Sequence, residues 1–364
     1  MSISGRGIVA RAAGAPLTVE ELVIESPGAG EVLVQILASG VCHTDLHIVN
    51  RFASDESPFL LGHEGTGIVL EVGPGVTNPK VGDKVILAWR APCGKCRFCL
   101  IGQPHLCANS LNAERRMHTK DGRTPQPALG IGTFCTHTVV AAGQAIPIPS
   151  SAPAAQTCLI GCGVMTGVGA VMYSAGVRPG STVAVFGCGG VGANVIQAAR
   201  IANARKIIAV DLADNKLEWA KTFGATDTVN PKNGDVVEQI KKLTDGHGVD
   251  YSFECIGLPN TLLQALLCRD LAGTCVLIGV PGAGPVLELP MQAFFDIGGS
   301  LRVSWYGDCL PSRDFPMLTD WYTKGVLQLD ELVTREISLD EVGEAFHAME
   351  RGETLRSVIV FPEN

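Results

Sequence analysis

Aromatic residues make up only 5% of this 364-residue chain, and charged residues only 18%. With 46% hydrophobic residues, the composition excludes a disordered chain, which needs low hydrophobicity and high net charge. Positive charge is scarce too. Lys and Arg number 28 against 36 Asp and Glu, for a net charge of −8. The basic footprint of a nonspecific nucleic-acid binder is therefore missing. No apolar run approaches the ~18 residues of a membrane span. The start, Met1-Ser-Ile-Ser-Gly-Arg, lacks the apolar stretch of a signal peptide. A cytoplasmic protein with no nucleic-acid or membrane partner is expected.

Glycine and cysteine are abundant instead. Glycine fills 43 of 364 positions, against a usual share near ~7%. Many glycines with many small aliphatic residues suggest tight strand-to-helix turns in an α/β protein. The 13 cysteines are an odd number, which argues against a closed disulfide framework and toward metal or redox chemistry. At roughly 150 residues per domain, the length predicts about two domains.

The first ~150 residues read as short strands and turns, such as the apolar run Glu31-Val-Leu-Val-Gln-Ile-Leu. From about 182 to 305 strand and helix signals alternate. Thr182-Val-Ala-Val-Phe and Lys206–Val210 are predicted strands around a small-residue helix, Val191–Asn203. Further strands are predicted at Gly248–Phe253 and Gly273–Ile278. Such a βαβ series implies a parallel sheet covered by helices. The tail carries a predicted helix near Leu339–Arg351 and a last strand, Ser357–Phe361.

The densest cysteine cluster is Cys93-Gly-Lys-Cys96-Arg-Phe-Cys99, with Cys107 eight residues later. Two-residue gaps let a tight turn aim successive thiolates at one tetrahedral zinc, and four ligands leave no open position, as in a structural site. Reduced, unliganded thiols are the plain alternative. A second group is scattered. Gly40-Val-Cys42-His43-Thr44-Asp45-Leu-His47, Gly62-His63-Glu64 and Cys162 hold the elements of a Cys₂His catalytic site with one place free. Each taken alone reads equally as a buried cysteine or a core histidine. Val183-Ala-Val-Phe-Gly187-Cys-Gly189-Gly190-Val191-Gly192 is a G-x-G-x-x-G turn between a strand and a helix. Asp211 ends the next strand, where a carboxylate accepts from ribose hydroxyls and repels a 2′-phosphate. That favours NAD over NADP.

In this order and spacing the motifs resemble the zinc-dependent medium-chain alcohol dehydrogenases, in the branch with the structural-zinc loop, over nearly the whole chain. The matching stretches are G-V-C-H-T-D-L-H at 40–47, G-H-E-G at 62–65 and C-G-K-C-R-F-C at 93–99. C-L-I-G-C-G at 158–163, G-C-G-G-V-G at 187–192, V-D at 210–211 and L-R-S-V-I at 355–359 match as well. The resemblance implies an α/β plus β fold. A GroES-like, partly open β-barrel catalytic domain (1–163) would carry a Rossmann-fold coenzyme domain (164–305), with a return to the catalytic domain at 306–364. The active site would lie in the cleft between the two.

The same resemblance implies two zinc ions per subunit. Cys42, His63 and Cys162 match the catalytic ligands, and Cys93, Cys96, Cys99 and Cys107 the structural ones. Glu64 matches a carboxylate close to the metal, and Asp45 the carboxylate that holds the His63 imidazole. Thr44 matches the hydroxyl on the substrate oxygen, and His47 the outer end of a proton relay. Cofactor contacts are implied for His43, Thr166, Gly187, Gly189, Gly190, Val191, Gly192, Asp211, Lys216, Ile278, Val280 and Arg356. Trp89, Phe134 and Trp305, again with Val280, fall where relatives line the substrate channel. The remaining cysteines and histidines read as packing or solvated residues.

The expected reaction is the NAD-linked, reversible oxidation of primary, aromatic or bulky apolar alcohols to aldehydes. The alternative is a dehydrogenase acting on the adduct of formaldehyde with a small thiol such as mycothiol or glutathione. In that case the basic set Arg115, Arg116, His118, Lys120 and Arg123, in the loop 109–132, would grip an anionic substrate. Otherwise the loop is simply solvated. Relatives of this length imply a homodimer through an edge of the coenzyme sheet near 274–280 and 300–304, with a tetramer as the other arrangement.

Overall fold

The computed structural model describes residues 2–362. The chain divides into two compact units, 1–162 with 310–364, and 163–309. The first unit is mostly antiparallel β-structure. Its central strand, Glu31–Gly40, is buried along nearly its whole length. It pairs with Gly65–Val72, His137–Ala141 and the C-terminal strand Arg356–Val360, all antiparallel. A strand buried on both faces needs apolar residues on both, which is why Val32 through Leu37 read as a nearly continuous run rather than an alternation. Lys84–Leu87, Ala145–Pro147 and Val333–Ile337 extend this sheet. A second sheet runs Met117–Thr119, Thr18–Glu25, Ser2–Ala10, Phe59–Leu60, Gln126–Pro127. Val32, Val34, Ile36, Leu61, Val69, Val85, Phe134 and Ile359 share one core.

The second unit is the parallel sheet that the alternating pattern predicts. From one edge the six strands are 227–229, 206–210, 182–186, 249–254, 269–277 and 300–303. In chain order that is 3-2-1-4-5-6, the doubly wound arrangement with its switch point beside the first strand. The strands of each neighbouring pair run parallel. The helix Gly190–Ile201 begins one residue before the predicted start and ends two before the predicted end. Helices Asp214–Phe223, Val236–Leu243 and Pro259–Leu267 supply the other crossovers. Asp235 caps the second of these by accepting from the Glu238 N–H.

Among the described residues no single helix is long and apolar enough to cross a membrane. The bent pair Ala154–Gly161 and Gly163–Ala175 passes a test of length and composition, and most of its residues are buried in the protein.

Candidate active site

Three separate stretches of the first unit assemble the first ligand set. Cys42 precedes helix His43–Arg51 as its N-cap residue. His63 and Glu64 lie between the strands Phe59–Leu60 and Gly65–Val72. Cys162 follows the helical turn Cys158–Gly161. One ligand atom each from Cys42, His63, Glu64 and Cys162 lie within 4.8 Å of one another. Asp45 is fully buried. Its Oδ1 accepts from the Gly62 N–H at 2.9 Å and stands 3.1 Å from His63 Nδ1. That contact makes Nδ1 the protonated nitrogen and leaves the lone pair on Nε2. Nε2 is buried and has no hydrogen-bond partner among the described residues. An orphaned imidazole nitrogen grouped with two cysteine sulfurs fits a zinc ion.

Against burial, Asp45 and Cys42 hold the His63 imidazole well above its ordinary value, and the hydrogen bond to Cys42 pushes the Cys162 thiol up, so a cation binding here would displace protons. The hydrogen bond from Cys162 holds the Cys42 thiol well below its ordinary value, against burial and with help from His63 and Arg356. Burial pushes the Glu64 carboxyl up to about 7, against the pull of Arg356.

Arg356 is only 5% exposed. Nη1 donates to the Val41 carbonyl at 3.1 Å, and Nη2 lies 3.2 Å from Glu64 Oε1. The fully buried Glu64 carboxylate draws the cation inward, because a buried charge without a partner is costly.

Thr44 and His47 lie three residues apart on one helix, hence on one face, and both are half-buried, while His43 is exposed. Trp89 is half-buried against the barrel core. Phe134 departs from the expected position on the channel. It is fully buried within that core, where its N–H donates to Leu61 O and its carbonyl accepts from Ile8 N–H. It lines no open channel. Trp305 and Val280 belong to the other unit and are 50% and 69% exposed.

Cys93, Cys96, Cys99 and Cys107 form the second ligand set, again with ligand atoms within 4.8 Å. The Cys96 and Cys99 sulfurs are 3.5 Å apart, and those of Cys96 and Cys107 are 3.9 Å apart. Backbone N–H groups turn toward these sulfurs. Those of Cys99 and Ala108 hold the Cys96 thiol down at about 6, and that of Lys95 lowers Cys93. Such donors favour the thiolate, burial and the neighbouring sulfurs push the Cys99 thiol up to about 11, and four cysteines at this spacing fit a closed zinc site.

In the second unit Gly187 turns with φ +89°, and Gly189 has nothing within 4 Å of where a side chain would start. A Cβ on Gly192 would stand 1.8 Å from the Gly187 carbonyl oxygen. The turn therefore leaves open space at the N-terminus of the helix Gly190–Ile201, with the strand and helix backbones in close contact. That cradle fits a dinucleotide pyrophosphate. Val191 begins the helix beside Gly190. Thr166 lies on helix Gly163–Gly169, next to Gly167, whose Cβ would stand 2.7 Å from Val191 O. Asp211 accepts from the Cys188 and Ala213 N–H groups at 2.8 and 2.9 Å, one on each oxygen. One lone pair per oxygen remains for a ribose. Lys216, half-buried, is on the following helix. Ile278 is buried, and its N–H donates to Glu254 O.

Two residues escaped the sequence reading. Ile256 lies against the turn, its Cγ1 2.6 Å from where a Gly187 Cβ would be. Glu254 holds its loop. The available signal was position alone, just past a strand end where open α/β sheets gather ligands.

In the loop 109–132 most of the basic residues are paired with acids. Arg116 is joined to Glu31 and Glu114, Lys120 to Glu21, Arg123 to Asp55 and Asp121, and His118 to Glu25. Arg115 is exposed and has no acidic partner among the described residues.

Residues 28–150 match the family profile described as alcohol dehydrogenase GroES-like domain, and residues 190–324 that of zinc-binding dehydrogenase. The chain is 39% identical to alcohol dehydrogenase class-3 of Cereibacter sphaeroides, covering 98% of this chain and 99% of that protein. It is 40% identical to S-(hydroxymethyl)glutathione dehydrogenase of Synechocystis, covering 98% and 100%. Among solved structures, an alcohol dehydrogenase zinc-binding domain protein from Burkholderia ambifaria superposes with a TM-score of 0.94 at 34% identity, covering both chains fully. Benzyl alcohol dehydrogenase from Acinetobacter calcoaceticus superposes with a TM-score of 0.91 at 31% identity, covering 99% and 100%.

These relatives overturn the expected substrate. Proteins near 39% identity over almost the whole chain are named for the glutathione adduct of formaldehyde, not for an aromatic or bulky alcohol. The class of enzyme stands: an oxidoreductase acting on a small molecule, with zinc and a nicotinamide dinucleotide as cofactors. Matched over nearly its full length by dehydrogenases and carrying both a GroES-like barrel and a Rossmann sheet, the chain belongs to the zinc-dependent medium-chain alcohol dehydrogenases.

Proposed function

We propose that the protein oxidises the hydroxymethyl adduct of formaldehyde with glutathione, using NAD. The reaction class is carried by the Cys42–His63–Cys162 set with its buried, orphaned Nε2. The choice of thiol adduct is supported by the relatives' names. In the reaction the hydroxymethyl carbon gives up a hydride and its oxygen a proton, so R–S–CH₂OH and NAD⁺ become R–S–CHO, NADH and H⁺.

Cys42, His63 and Cys162 would hold the catalytic zinc, and Cys93, Cys96, Cys99 and Cys107 the structural one. When bound, the zinc polarises the substrate oxygen and the nicotinamide accepts the hydride. The chain's own groups do the rest. Asp45 fixes the His63 tautomer and keeps Nε2 directed at the metal position. Thr44 supplies a hydroxyl to take the substrate proton, but a hydroxyl is too weak a base to keep it. His47, on the same helix face, passes that proton on toward solvent, since an imidazole has one nitrogen to accept a proton and another to release one. Asp211 disfavours a 2′-phosphate and so selects NAD. Arg115 is the basic side chain of its loop left free to meet a glutathione carboxylate.

The test is product identity. Zinc-loaded protein given formaldehyde, glutathione and NAD should form S-formylglutathione, read by mass spectrometry. Arg115→Ala should raise KM for the adduct with kcat little changed. Formate as the direct product, with no thioester, would contradict the assignment.

We also propose a reducing compartment such as the cytoplasm, where the six cysteines grouped as zinc ligands would stay reduced. A homodimer through the edge strand Ser300–Val303 is proposed as well. That strand leaves Leu301 39% and Val303 67% exposed. Light scattering at the monomer mass would end the dimer proposal.

A further inference from the structure

Glu254 ends the strand Val249–Glu254, next to the strand that leads into the dinucleotide turn. Its carboxylate is fully buried and forms no ion pair with a basic side chain among the described residues. A buried carboxylate without a cation persists only if hydrogen-bond donors replace its water. Here the donors come from the residues just past the strand. Oε1 accepts from the Ile256 and Gly257 N–H groups, both at 3.0 Å, and from Thr261 Oγ1 at 2.7 Å. Oε2 accepts from the Gly257 N–H at 2.9 Å. The side chain thus folds residues 255–258 into an arch ahead of the helix Pro259–Leu267.

The arch is wedged between two other loops. On one side Ile256, 44% exposed, lies against Gly187, where a Cβ would stand 2.6 Å from its Cγ1. On the other, a Cβ on Gly279 would stand 2.1 Å from the Gly257 nitrogen, so only backbone fits there. The Ile278 and Gly279 N–H groups donate to the Glu254 carbonyl at 2.8 and 2.9 Å. One residue therefore ties the arch through its carboxylate and the 278–280 stretch through its main chain. All three loops lie past the C-terminal ends of adjacent parallel strands, the place where such sheets bind ligands.

We propose that Glu254 is a positioning residue for the nicotinamide dinucleotide. It fixes the arch that holds Ile256 against the phosphate-binding turn, so that the cofactor meets a preformed wall. Without the carboxylate, the Ile256 and Gly257 N–H groups turn to water. The arch gains freedom, and binding must pay to order it again. This inference rests on the dinucleotide reading of the cradle, which the wild-type protein tests by itself.

The experiment measures NADH dissociation constants, by fluorescence of the bound cofactor, for the zinc-loaded full chain. The variants are Glu254→Gln, Ile256→Gly and the double substitution, each with its thermal midpoint. A wild-type protein that does not bind NADH removes the cofactor reading itself. If it binds, Glu254→Gln should weaken binding roughly tenfold, since the amide nitrogen now faces an N–H donor. In the Ile256→Gly background the same change should weaken binding little further, while the thermal midpoint still falls. Multiplying losses in the double variant, or wild-type affinity in Glu254→Gln, would overturn the proposal. Should Glu254→Gln not fold, Thr261→Val removes one of the four bonds. Its Ile256 and Gly257 amides should exchange hydrogen faster, with weaker NADH binding. Faster exchange with unchanged affinity would also overturn it.

Discussion

Cys162 and His63 come from distant parts of the chain, yet each is useless as a ligand without the other. Replacing the Cys162 thiol with a hydroxyl removes the softest available donor at nearly constant volume. Cys162→Ser should fall from two zinc ions per chain to one, by elemental analysis, with the circular dichroism spectrum retained. Turnover should drop by roughly a thousandfold or more, the scale of several kcal/mol of lost transition-state stabilisation. His47→Ala should keep both zinc ions and lose roughly tenfold or more in rate near neutral pH. Added imidazole should restore part of that loss, and a rate unchanged by the substitution would remove His47 from the proton path. At this scale motif spacing named side chains that the fold gathers into two groups, each with its ligand atoms within 4.8 Å of one another. It did not reveal which way a side chain turns. Phe134 occupies a stretch that reads the same whether it faces a channel or the core. Nor did it show that the Arg356 guanidinium lies beside the buried Glu64 carboxylate.

The loop 109–132 shows at the scale of an element how charge can fasten a segment to the barrel. Glu31 is 6% exposed. It accepts from the Gly28 and Glu114 N–H groups, both at 2.7 Å, and pairs with Arg116. Burial would raise this carboxyl, but the two backbone N–H groups and the guanidinium hold it below its ordinary value. The clamp's contribution is therefore complete above the unfolded carboxylate range, near ~4.3, and is lost as pH falls through the lower folded value. Glu31→Gln should cost about 1–3 kcal/mol of stability at neutral pH. Its thermal midpoint should approach that of the native protein as the medium is acidified, and an equal gap at every pH would contradict the clamp. None of this was visible in the sequence, where Glu31 is the first residue of an apolar strand and the five basic residues read as one cluster. Pairing with acids from elsewhere depends on tertiary approach, which local charge patterning does not encode.

The parallel sheet was the most legible part of the whole molecule. Its strands are short apolar runs with glycine turns between them, and each predicted strand differs from the observed one by a few residues at most. The barrel unit was less so. Strands such as Phe59–Leu60 and Gln126–Pro127 are two residues long and exist only because neighbours pair with them. The substrate was least legible, because zinc ligands and a dinucleotide turn specify hydride chemistry without specifying whose hydroxyl is oxidised. The most direct test is NADH formation by protein carrying two zinc ions, given formaldehyde with and without glutathione, beside benzyl and straight-chain alcohols without thiol. The account predicts rapid NADH formation only when formaldehyde and glutathione are both present. Rapid turnover of free alcohols, with the formaldehyde–glutathione mixture inert, would contradict it.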